Sequence, residues 1–93
     1  MIFATLRNDM ITPEQCRAAR ALVDLSREDL ADLSKTAHRT IVDFERGARQ
    51  PRAATLEALR LALEQAGVIF LADGEQLAGG AGVRLTVSKA PST

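Results

Sequence analysis

The chain has one cysteine, one histidine, no tryptophan, no tyrosine and no net charge, and each of these scarcities narrows what it can be. Cys16 has no partner for an internal disulfide and none of the neighbours of a metal or redox motif, which suits a reducing cytoplasm and a role as a small hydrophobe. With three Phe as the only aromatic residues, the 46% of apolar residues must form an aliphatic core, and 93 residues allow one domain. The 12 basic and 12 acidic side chains cancel, which argues against coating nucleic acid by bulk charge. No apolar run approaches a membrane span, and the opening MIFATLR lacks the cationic head and the length of a secretory signal, so a cytoplasmic protein with no membrane partner is expected. A lone histidine without a second His or paired Cys at ligand spacing leaves no metal site. No glycine-rich phosphate loop follows a strand, and no His and carboxylate accompany a nucleophile, so neither catalysis nor a cofactor is expected.

What is present is helical punctuation. In TPEQCRAARALVDL, Thr12 is placed to cap a helix, Pro13 suits its first position and Gln15 completes a capping box. Cys16, Ala19, Leu22 and Val23 recur on one face, with Arg20 on or beside that stripe. Ser26 caps a second, short helix, SREDLADLS, with Asp29 in the box position and Leu30, Ala31 and Leu33 as its core residues. After a break at Ser34 and Lys35, Thr36 is the candidate cap of a third helix that buries Ala37, Ile41 and Phe44 and ends at Gly47. A loop containing Pro51 leads to Thr55, the candidate cap of TLEALRLALEQAG, with Leu56, Leu59, Ala62, Leu63 and Ala66 inward.

Beyond Gly67 the pattern changes to period two. VIFLA is a short β-branched and aromatic run, DGEQLAGGAG is turn and loop, and VRLTVS sets Val83, Leu85 and Val87 against Arg84, Thr86 and Ser88. A two-stranded hairpin is expected, and because an isolated hairpin is marginal in water it must pack on the helices or pair with a second subunit. The dimer contact is the preferred expectation.

The most informative stretch is SKTAHRTIVDFERGARQPR, residues 34–52, where Lys35, Arg39, Arg46, Arg49, Arg52 and the lone His38 crowd together in an otherwise neutral chain. Two short helices joined by a tight break, the second polar and basic outside, suit insertion of one helix into the DNA major groove. Here SREDLADLS, RTIVDFERG, the following RQPR and TLEALRLAL resemble the xenobiotic-response-element (XRE) family of helix-turn-helix regulators, which includes the Cro-like and lambda-like repressors. The resemblance runs from about Thr12 to Gly67. It implies a mainly α fold, a four-to-five-helix lambda-repressor-like domain, here with a C-terminal β-hairpin. It also implies an ion pair between the first helix and the end of the recognition helix, at positions matched by Arg20 and Glu45. Lys35 departs from the family, which usually has glycine at this turn; either the lysine is forced to positive φ at a cost of about 1 kcal/mol or the turn takes another form.

Residues that open a recognition helix reach furthest into the groove, so His38 and Arg39 are the first candidates for base edges, followed by Thr40 and Asp43. Arg39 can grip guanine through two hydrogen bonds, whereas Asp43 can accept from cytosine or orient an arginine. Arg27, Lys35, Arg46, Arg49 and Arg52 are the candidate contacts to DNA phosphates.

The expected organisation is an N-terminal arm at 1–10, the helix-turn-helix domain at 11–67, the hairpin as dimerisation element at 68–88 and a tail at 89–93. The expected function is a sequence-specific transcriptional regulator, of repressor type, binding double-stranded DNA as a homodimer on a two-fold symmetric operator. The rival is an antitoxin or antiactivator-type module that docks a protein partner through the hairpin by strand addition.

Overall fold

The computed structural model describes residues 10–75 and 78–86. Among these residues four helices precede a hairpin: α1 Pro13–Val23, α2 Arg27–Ser34, α3 His38–Glu45, α4 Ala53–Gln65, then β1 Val68–Leu71 and β2 Gly82–Leu85. This is the mainly helical architecture with a C-terminal hairpin expected from the sequence. The arm at 1–9, the tail at 89–93, and Val87 and Ser88 at the end of the second run lie outside the described residues.

Both capping boxes form. Thr12 Oγ1 accepts from the Gln15 amide at 3.0 Å while Gln15 Oε1 accepts from the Thr12 amide at 3.0 Å. Ser26 and Asp29 reciprocate in the same way at 2.9 and 3.1 Å. Each box satisfies two amide donors that a helix start would otherwise leave unpaired.

The two later caps differ from expectation. Ala37, not Thr36, occupies the N-cap of α3, with no side-chain cap bond; the Thr36 hydroxyl donates instead to the Ser34 carbonyl at 3.4 Å. α4 starts at Ala53 after Arg52, two residues before Thr55, because Ala53 and Ala54 are strong helix formers and the break belongs to Pro51.

The core is aliphatic around one ring: Phe44, Leu30, Ile41, Leu56, Leu59, Leu63, Val68 and Cys16 are all fully buried. Burial of each larger side chain contributes about 1.5–3 kcal/mol. Four expected core positions face outward instead: Leu22, Leu33, Ala37 and Ala66 are exposed, Leu33 by 58%. In α2 the inward positions are Leu30 and Ser34, and the Ser34 hydroxyl stays satisfied by donating to the Leu30 carbonyl at 2.7 Å. Hydrogen bonding back to the preceding turn lets a small polar residue take the buried place that Leu33 would fill.

The strands pair antiparallel, with Val68 opposite Leu85 and Leu71 opposite Gly82. Gly67 turns the chain from α4 into β1 at φ +113°, which only glycine adopts without strain, and its carbonyl accepts from the Thr86 amide at 2.8 Å. Val68 is buried, Phe70 and Val83 pack on the core, and Leu85 remains half-exposed. The hairpin therefore rests on α1 and α4 of its own chain. A polar tie reinforces it: the buried Gln15 amide nitrogen donates to the Leu71 carbonyl at 3.0 Å and the Gly82 carbonyl at 2.8 Å.

Candidate nucleic-acid interface

α2 and α3 meet through a turn that depends on a left-handed residue. Lys35 closes α2 at φ 57° and ψ 40°, the strained conformation that a lysine at a glycine position must take. Its amide donates to Ala31, and the following Thr36 amide reaches the same carbonyl at 3.1 Å. Small Ala31 sits partly buried against the core behind this turn.

The orientation of α3 is set from beneath by Glu45, its last residue, which is 1% exposed. Arg20 grips the carboxylate with two donors, Nε to Oε2 and Nη2 to Oε1, both at 2.8 Å. Arg20 Nη1 also donates to the Leu25 carbonyl at 3.1 Å. Arg27 Nε adds a bond to Oε1 at 3.0 Å, and the Cys16 thiol donates to Oε2 at 3.1 Å. Arg17 Nη1 donates to the backbone carbonyl of Glu45.

Such a carboxylate satisfies the condition for burying a charge, since both oxygens are hydrogen bonded and a bidentate guanidinium neutralises it. Burial pushes the Glu45 pKa upward, but the hydrogen bonds from Arg20, Cys16 and Arg27 outweigh it and hold the group below the ordinary carboxylate range. The same hydrogen bond to Glu45 raises Arg20 further. Burial, followed by the bond to Glu45, pushes the Cys16 thiol up, so it stays protonated and serves as a donor.

The opposite face of α3 looks outward. His38 and Arg39 open the helix and are exposed, Thr40 and Asp43 are half-buried, and Arg46 follows exposed at its end. Arg39 Nε lies 3.4 Å from Asp43 Oδ1 one turn on, and Arg39 is 78% exposed. His38 Nε2 lies 3.9 Å from Glu28 Oε2 of α2. Lys35, Arg46, Arg49 and Arg52 are exposed and enter no ion pair among the described residues. Arg27, expected only at phosphates, is instead drawn toward Glu45 while remaining 42% exposed.

Arg17 carries no local mark of a role in the sequence, although it lies three residues before Arg20 and therefore beside it on α1. That spacing, with Cys16 four residues before Arg20, places all three on one side of α1, but nothing local links them to Glu45. The second role of Gln15, reaching the hairpin, has no local signal either.

No helix among the described residues is long and apolar enough to cross a membrane. No curated protein matches the chain. A family model described as helix-turn-helix matches residues 17–64, just over half of the chain, and spans the Arg20–Glu45 clamp, the α2–α3 unit and most of α4. With α2, a tight turn and an outward-facing α3 on the same frame, the chain belongs to the XRE-type helix-turn-helix family of Cro- and lambda-repressor-like DNA-binding regulatory domains.

Proposed function

We propose that this domain is a sequence-specific regulator that binds as a homodimer to a two-fold symmetric operator in double-stranded DNA. The observation that carries the reading is the outward face of α3, anchored from below by Glu45 and bordered by cations with no ion-pair partner among the described residues. His38, Arg39, Thr40 and Asp43 are the base-reading residues; Arg27, Lys35, Arg46, Arg49 and Arg52 contact phosphates.

Asp43 acts chiefly through Arg39. At 3.4 Å from the guanidinium, it restrains a side chain that must be presented edge-on to guanine, and a restrained guanidinium loses less freedom on binding. Ala37 leaves the first amides of α3 without a side-chain acceptor, a further place for a phosphate oxygen.

Dimerisation follows from the size of the reading head. One short helix makes few base contacts, whereas two copies about 34 Å apart along the DNA double them across a two-fold axis. With about three phosphates neutralised per subunit, log affinity should fall with log salt at a slope of roughly −5 for the dimer. A reducing cytoplasm suits the buried free thiol of Cys16.

The test is a selection of bound sequences from a random duplex library at near-physiological salt. Enrichment of a two-fold symmetric site supports the proposal. A folded protein that enriches nothing sinks it and shifts the search to a protein partner for the hairpin.

A further inference from the structure

Glu45 holds more positive charge than it needs. Arg20 alone neutralises its carboxylate and supplies both oxygens with a donor, and Cys16 adds a third hydrogen bond. Arg27 nevertheless brings a second guanidinium to Oε1, and Arg17 a third to the main-chain carbonyl. Three arginines around one carboxylate leave two positive charges in excess. Arg27 is the most exposed of the two that touch the carboxylate, 42% against 17% for Arg20.

The geometry of that contact matters. A guanidinium carries five N–H donors in a rigid plane, and Arg27 uses Nε alone on Glu45. No described residue accepts from its two terminal nitrogens. Arg27 is the first residue of α2 and Glu45 the last of α3, so the bond ties together the two helices that a DNA backbone would meet.

Resting on the DNA-binding reading above, we propose that Glu45 makes Arg27 a pre-positioned clamp for one backbone phosphate, with Nε held by the carboxylate and the terminal nitrogens left for the diester. Glu45 is then a positioning residue for DNA as well as a structural one. The buried carboxylate fixes a side chain that would otherwise sample many rotamers, and the phosphate offsets one of the two positive charges that the protein alone leaves in excess. A lysine at this place supplies charge but no planar group able to bridge carboxylate and phosphate at once.

Two measurements test this. In the free protein, 15N relaxation of the arginine Nε–H groups should show Arg27 ordered like Arg20, with Arg49 averaged; Arg27 as mobile as Arg49 would overturn the clamp whatever the protein binds. Titration of a mixed-sequence DNA duplex over a range of salt should then separate the variants. Arg27→Gln keeps Glu45 neutralised by Arg20 and should stay folded, with its salt slope shallower by about 1 per subunit. Arg27→Lys should keep the slope near the wild-type value but bind severalfold more weakly. An unchanged slope in Arg27→Gln, or wild-type affinity in Arg27→Lys, overturns the clamp while DNA binding stands. Failure of the wild-type protein to bind any duplex overturns the DNA reading and the clamp together.

Discussion

The arginines beneath α3 and those beyond its end show the same side chain put to opposite uses. Arg17, Arg20 and Arg27 converge on Glu45, where burial makes each hydrogen bond count and a missing partner costly. Arg46, Arg49 and Arg52 stand in solvent without an ion pair among the described residues, where attraction to a distant charge is weak. A formal charge of zero therefore conceals a division of labour. Elsewhere acids outnumber bases, as where a single Arg60 bonds both Glu57 and Glu64 at 3.0 and 2.9 Å on α4. The exit from α3 is left positive.

The deepest break in this division comes from removing the buried partner. Arg20→Met or Glu45→Gln should destabilise the fold by about 3 kcal/mol or more, because the first strips the buried carboxylate of its bidentate partner and the second leaves the arginines around it without a counter-charge; urea unfolding measures it. Glu45 binds its proton more weakly in the fold than in the unfolded chain. Its stabilisation is therefore complete above the ordinary value of 4.5 and is lost as pH falls through the lower folded value. Glu45→Gln should flatten that acid limb of the stability profile; a limb of unchanged steepness would place the pH dependence on other carboxylates.

On the outer side the expected effects are on binding rather than folding. Arg39→Ala should erase about 1–3 kcal/mol of discrimination at one base pair of the selected site while leaving the unfolding midpoint unchanged. Arg49→Ala should weaken all sequences alike and make the salt slope shallower by about 1 per subunit. The reverse pattern in binding titrations would exchange the two roles.

Gln15→Leu sharpens the contrast from a third direction, since it removes a buried polar tie without touching either arginine set. A loss of about 1–3 kcal/mol is expected from the orphaned carbonyls and the broken cap, with faster amide exchange in β1 and β2 and unchanged protection in α3. The smallest effect belongs to the turn. Lys35→Gly should relieve left-handed strain and stabilise by up to about 1 kcal/mol, while removing one exposed cation.

The parts of this molecule legible in the sequence are those written locally. Thr12 with Gln15 and Ser26 with Asp29 are short-range chemistry, and each forms as its spacing predicts. Ile41 and Phe44 declare the inner face of α3 by their period, and with it the outward set from His38 to Arg46. Thr36 and Thr55 misled because a hydroxyl near a helix start is only one way to begin it; Ala37 and Arg52 reach the needed extended backbone without one. Leu22 and Leu33 misled because apolarity does not fix burial in a short helix, where a fraction of a turn moves a residue from core to surface. The gathering of Arg17, Arg27 and Cys16 around Glu45 was hidden for another reason, since it joins residues from three helices whose packing no local pattern specifies.

Gln15 has a consequence for how the chain assembles. Its amide nitrogen finds its acceptors 56 and 67 positions later, so during synthesis the first helix can form and cap itself long before that donor has anything to hold. Until β1 and β2 dock, the amide depends on water, and docking must exclude that water in the same step that closes nearly the whole described chain into a ring. The hairpin is thus what gives the Gln15 donor its acceptors, and its docking ties a locally capped helix to the far end of the described fold.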